Sequence, residues 1–187
     1  MEMSRTVSTM VGAVLVIGVI RAAEIEVTAA MQARIDEWKA KAAAWAAEKE
    51  VVEAVERQNK LGPIAEMTEE KWKATKRREP VILQFQKNKA AGLLAEKAKE
   101  TEGAVSEAFV CAAAGEKVAF LEKTSSYIHK GRPKFDTPFS TGKAWQGKPE
   151  FDESTQTYAV QIAVPILSKD KPIGVLVLGL SLSHLAK

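Results

Sequence analysis

The order of patterns along the chain predicts an α+β fold, with helices first and antiparallel strands after them, packed in layers around one core. A stretch free of Pro and Gly and rich in Ala, Glu and Lys runs from about residue 25 to 60. Helical spacing recurs up to about Glu100, and past Gly103 the pattern changes to short β-rich runs joined by polar turns. The 187 residues suit one domain of ordinary size, and 46% hydrophobic with 27% charged residues is too apolar for a mainly disordered chain. Lys and Arg number 27 against 24 acids, an interleaved excess too small to point to nucleic acid. Cysteine contributes only Cys111, which excludes an intramolecular disulfide and any multi-cysteine metal or haem motif.

Residues 1 to 23 place Arg5 ahead of an apolar run from Met10 to Ile20, with Arg21-Ala22-Ala23 returning to polar sequence. This reads as a secretory leader. The run is shorter than the stretch of about 20 apolar residues that crosses a bilayer, so cleavage near Ala23 is favoured over an uncleaved anchor. Either reading puts the remainder outside the cytoplasm.

Residues 24 to 103 form the helical region. Met31, Ile35, Trp38, Ala42, Trp45, Val52 and Val55 follow steps of three and four, apart from a gap at Glu48 and Lys49, and predict one helix up to Gly62-Pro63. A helix of about 35 residues spans ~50 Å and outruns a small domain, so its stripe serves packing on the sheet, pairing with a second copy, or both. Thr68 with Glu69 and Glu70 marks the start of a short helix carrying Trp72. Pro80 begins a third, with Ile82, Phe85, Ala90, Leu93, Leu94 and Ala98 on one face.

Residues 104 to 187 form the sheet. Ala108 to Ala112 and Val118 to Leu121, around Gly115-Glu116-Lys117, read as one hairpin; Tyr158 to Leu167 and Ile173 to Leu182 read as another. The last two strands are apolar on nearly every residue, which predicts cover on both faces of the sheet, helices on one and a lid or pocket on the other. Trp145 to Phe151 is the candidate for a further strand.

Phe151-Asp152-Glu153-Ser154-Thr155, Val160 to Ile166, and Lys171-Pro172-Ile173-Gly174 to Val177 resemble the closing strands of extracytoplasmic Cache sensor domains, the PAS-like, PDC-type domains of bacterial receptors. Lys123-Thr124-Ser125 with Tyr127, and Arg57-Gln58-Asn59 before the Trp72 helix, fit the same pattern, so the resemblance covers roughly residues 45 to 185. It implies a single Cache domain: a long N-terminal helix across an antiparallel sheet of about five strands, with a small-molecule pocket on the opposite face. The implied ligand is an organic acid, an amino acid or an amine, and no cofactor is implied. Many relatives have Asp followed by an aromatic and Gln around the Thr-Ser-x-Tyr run; this chain has Ser126 and Ile128-His129, which implies a different ligand.

Between the hairpins, His129, Lys130, Arg132, Lys134, Asp136 and Lys143 are interspersed with Tyr127, Phe135, Phe139 and Trp145. A guanidinium offers a fixed fork to a carboxylate, an ammonium adds a point charge, and aromatic walls exclude water so that both interactions strengthen. Arg132 and Lys134 are therefore the candidate anion-binding residues, with Tyr127, His129, Trp145 and Tyr158 as the other candidate ligand contacts. Each has a plainer alternative: a solvated cation, a core ring, a surface histidine. On their strand, Tyr158 and Gln161 face opposite sides, so only one lines a pocket, and Tyr158 is the choice here.

No His-Glu-x-x-His run, nucleophile elbow or phosphate-binding Gly-rich loop is present, and Cys111 sits mid-strand as a buried thiol, so the sequence does not read as an enzyme or a metal protein. Two functions stand: a free-standing periplasmic sensor module for a carboxylate-bearing metabolite, relaying to a sensor kinase or chemoreceptor and pairing through its N-terminal helix; or an interaction protein that docks a partner on the tryptophan-bearing helix above a degenerate pocket.

Overall fold

Thr28 caps the first helix, its hydroxyl accepting the Met31 amide at 3.2 Å, and α1 runs over Ala29–Ala46. This computed structural model describes residues 26–152 and 156–187; the leader or anchor expected over 1 to 23 lies outside the described residues. The single helix expected up to residue 60 is two. The chain turns at Ala47 and Glu48, and α2 resumes over Lys49–Leu61. The turn falls at the gap in the apolar stripe, and Glu48 leaves the helix to meet Lys97 at 2.8 Å. Two helices joined by a bend both lie on the sheet, which one straight helix of that length does not.

Helix α3 (Glu69–Ala74) starts where Thr68 accepts the Lys71 amide at 3.2 Å. The next expected helix also divides, into α4 (Pro80–Lys87) and α5 (Lys89–Lys99). Asn88 divides them: its backbone is extended, its side-chain oxygen accepts the Ala91 amide at 2.9 Å, and its amide donates to the Val118 carbonyl at 2.8 Å. An Asn at that point is a cap signal.

Both expected hairpins form, as β1 (Val105–Ala112) with β2 (Lys117–Phe120), and β4 (Thr157–Ser168) with β5 (Lys171–Ser181). The candidate fifth strand forms as β3 (Trp145–Asp152) and pairs with β4. The sheet is antiparallel throughout, in the order β2-β1-β5-β4-β3. Helix α6 (Pro133–Thr141), between β2 and β3, interrupts what the sequence reads as a loop, and α7 (Leu182–Leu185) follows β5. Pro133 at its first turn and Gly142 in a left-handed conformation after its end are helix signals; Pro138 inside it hides them.

Alternation along the strands divides the core in two. Ala108, Val110, Val160, Ile162, Val164, Ile166, Leu176, Leu178 and Leu180 face α1, α2 and α5. Phe109, Cys111, Ala163, Val175 and Val177 face the other way, toward Trp72, Ile82, Phe85 and Phe135 of α3, α4 and α6. This two-sided burial is what the nearly all-apolar strands predict, each large side chain contributing about 1.5–3 kcal/mol. At Gly174 the backbone of β5 approaches so closely that an added Cβ would meet the Cys111 carbonyl and Val55 of α2. Met31, Ile35, Ala42 and Trp45 of the α1 stripe are buried in the chain's own core, while Trp38, edge to face with Trp45 at 6.3 Å, is half-buried.

Candidate ligand-binding site

The second face of the sheet is only partly covered. Helices α3 and α4 pack toward the β2 edge through Phe120 and α6 packs over β4 and β5, and beside them a cavity of about 500 Å³ opens between the sheet and the segment from Thr124 to Lys134. Its sheet side is Glu107 and Phe109 of β1, Ala159 and Gln161 of β4, and Trp145 to Lys148, Glu150 and Phe151 of β3. The small side chain of Ala159 leaves room where a larger one would fill the space.

The covering segment is strapped down from both sides. Trp72 donates its indole N–H to the Thr124 carbonyl at 2.8 Å, and the Glu69 carboxylate accepts the amides of Tyr127 and Ile128 at 3.1 and 2.8 Å. The His129 amide donates to the Gly115 carbonyl at 2.7 Å, beside a bridge between Glu116 and Ile128. Gly115 has φ +86°, and a Cβ there would strike the Lys130 backbone, so glycine alone lets the strap lie on the hairpin turn.

Arg132, Lys134, Gln161 and His129 line the cavity, and Lys117 lies behind them. The Arg132 guanidinium donates to the Ser126 hydroxyl at 2.7 Å, which fixes its direction. The Lys134 ammonium donates to Gln161 Oε1 at 2.6 Å, and Gln161 Nε2 in turn donates to Glu107 Oε2 at 2.9 Å. Burial pushes Lys134 below the ordinary lysine pKa, with Glu107 pulling the other way. Behind the lining, Lys117 is fully buried, its ammonium 3.1 Å from the centre of the Phe109 ring and 3.8 Å from the Cys111 sulfur; desolvation pushes its pKa down to about 8. His129 is 3% exposed and packs on Phe109 at 4.8 Å. Burial first, then Lys117, Lys134 and Arg132, holds its pKa well below the ordinary histidine range, so the ring is neutral at physiological pH.

Of the six candidate contacts, His129, Arg132, Lys134 and Trp145 line this cavity. Tyr127 does not: it is buried in the aromatic cluster, stacked on Trp72 at 5.1 Å, and its hydroxyl accepts the Ile64 amide at 2.9 Å. Tyr158 does not either. It is half exposed on the α1 side of β4, against Phe151, and the choice between it and Gln161 goes to Gln161. The parity is as read from the sequence; the assignment of faces is reversed. Glu107, Phe109, Gln161 and the buried Lys117 are the residues that sequence reasoning passed over, although period-two alternation already set Glu107 and Phe109 on one face.

Among solved structures, the chain is similar to the sensor domain of E. coli DcuS, at 15% identity and a TM-score of 0.50, over 85% of this chain and 96% of that one. It is similar at 13% identity and a TM-score of 0.52 to the extracellular domain of the putative histidine kinase vpHK1S-Z8, over 83% of this chain and 53% of that one. The chain has the fold of a Cache-type sensor domain. A further likeness, at 12% identity and a TM-score of 0.46, is to the ligand-binding domain of the Campylobacter jejuni chemoreceptor Tlp3 in complex with 4-methylisoleucine, over 83% of this chain and 56% of that one. The chain thus spans little more than half the length of the Tlp3 domains it matches. No protein-family model and no curated protein matches the sequence. Among the described residues of this sensor fold, no helix is long and apolar enough to cross a membrane.

Proposed function

We propose that the chain is an extracytoplasmic sensor module that binds a carboxylate-bearing metabolite in the cavity beneath the Thr124–Lys134 strap and relays its occupancy to a sensor kinase or chemoreceptor. The convergence of Arg132, Lys134 and neutral His129 on a cavity of about 500 Å³ carries this reading. That volume is of the size that takes a metabolite. Arg132, aimed by Ser126, supplies the fork for a carboxylate; Lys134, tethered by Gln161, supplies a second charge; Trp145 and Phe109 supply apolar walls that exclude water. The leader-like run from Met10 to Ile20 supports a place outside the cytoplasm.

Native mass spectrometry of protein purified without denaturation, with thermal shifts against organic acids, amino acids and amines, tests the reading. A retained acid, or a rise in Tm specific to one carboxylate and dependent on its concentration, is the expected result. An empty cavity and no shift with any carboxylate overturns it.

A further inference from the structure

The lining of the cavity carries both signs of charge: Arg132, Lys134 and Lys148 are joined by Glu107 and Glu150. The two acids are placed differently. Glu107 of β1 stands in register with Gly179 of β5, which stands in register with Gln161 of β4. Gly179 offers no side chain between them, and Gln161 Nε2 crosses to Glu107 Oε2 at 2.9 Å, so Glu107 belongs to the network that ends on Lys134. Glu150 of β3 pairs with Ala159 of β4, and directly paired residues share a face, so Glu150 stands on the cavity face, at the exposed rim. Lys148 falls in the register break between Gln146 and Pro149, so the acid and not the lysine holds a ladder position there.

A ligand whose only charge is a carboxylate answers Arg132 and Lys134 but brings a third negative charge to two acids. Against the desolvation that lowers the Lys134 pKa, Glu107 and Glu150 both favour its charged form, so their fields reach a ligand held on Lys134. A second, cationic group on the ligand turns that repulsion into attraction, and the methyl of Ala159 leaves room for it beside Glu150. Spacing fixes where on the ligand the cation lies. From Gln161, which tethers Lys134, to Ala159, which faces Glu150, is two residues of β4, or about 7 Å. An α-amino acid carries its charges on adjacent carbons and does not span that length. A chain with its ammonium at the far end does.

Resting on the sensor reading above, we infer that the ligand is an ω-amino carboxylic acid, its carboxylate on Arg132 and Lys134 and its ammonium on Glu150, which is the specificity-determining residue of the site.

Three matched triples test this: butanoate, 2-aminobutanoate and 4-aminobutanoate; pentanoate, 2-aminopentanoate and 5-aminopentanoate; hexanoate, 2-aminohexanoate and 6-aminohexanoate. Within each, the chain length is constant and the ammonium is absent, next to the carboxylate, or at the far end. Calorimetric titration of the full-length protein is expected to show the ω-amino acid of at least one triple binding about fivefold or more tighter than both of its counterparts. Glu150→Gln, at an exposed position on an edge strand, is expected to keep the Tm of the parent and to remove that preference without weakening the plain acid. Arg132→Ala is expected to weaken all three members alike. Equal or tighter binding of the plain acid or of the α-isomer, or a preference undiminished in Glu150→Gln, overturns the inference while leaving the carboxylate reading intact. Failure of every acid in the three triples also overturns it, and the wider carboxylate panel then decides the sensor reading separately.

Discussion

Lys134 of α6 reaches across the cavity to donate to Gln161 Oε1 of β4 at 2.6 Å, and Gln161 passes the connection to Glu107 of β1 at 2.9 Å. The amide of Gln161 both accepts from the cation and donates to the carboxylate, so it bridges the two charges and holds them in place. Gln161→Leu, close to it in shape, is expected to destabilise the fold by about 1–3 kcal/mol by leaving Lys134 and Glu107 without this partner. Tyr158→Ala, on the opposite face, is expected to leave carboxylate binding unchanged. Urea denaturation and titration of the two variants check both expectations.

Lys117 gives the fold a pH signature. Its pKa of about 8 in the folded protein lies below the ordinary 10.5, so between those values the unfolded chain binds the extra proton and stability rises with pH. Below about pH 8 the full burial penalty is present. Lys117→Met therefore is expected to be more stable than the parent at pH 7, with the gap narrowing as pH rises through 8 toward 10.5. Tm measured on both proteins at pH 7 and pH 9 reads this, and the comparison between them removes most other titrations. A gap that is constant or widens contradicts a buried ammonium whose pKa burial has lowered.

Gly115→Ala places a Cβ on a residue at φ +86° and against the Lys130 backbone. The expected loss is more than about 1 kcal/mol, together with displacement of His129. Carboxylate affinity is expected to fall with stability, since the strap carries the site.

Tyr127→Phe separates core from site. The Ile64 amide loses its acceptor at 2.9 Å, which is expected to lower stability by about 1 kcal/mol, while the affinity for carboxylates stays as in the parent. A selective loss of affinity instead would return Tyr127 to the ligand.

The layered fold and the strands were legible because apolar alternation and turn chemistry are local: Gly115 marks one turn, and the polar loop Ser168 to Pro172 marks the other. Helix breaks were less so. Glu48 and Asn88 interrupt the helices through contacts with Lys97 and Val118, which are remote in sequence. The cations of the site were legible as a cluster in one connection. Which face of the sheet they cover was not, because β4 is apolar on both sides and nothing local distinguishes the face of Tyr158 from that of Gln161. Lys117 was invisible as a site neighbour, since a lysine after a turn reads as solvated until the packing of Phe109 and Cys111 buries it.

The most direct test of an anion-binding cavity is calorimetric titration of the wild-type protein and of Arg132→Ala and Lys134→Ala with the carboxylate that gives the largest thermal shift in the panel. The account predicts saturable one-site binding in the wild type, weakened about tenfold or more in each variant with the fold retained. Binding of undiminished affinity in both variants would contradict it.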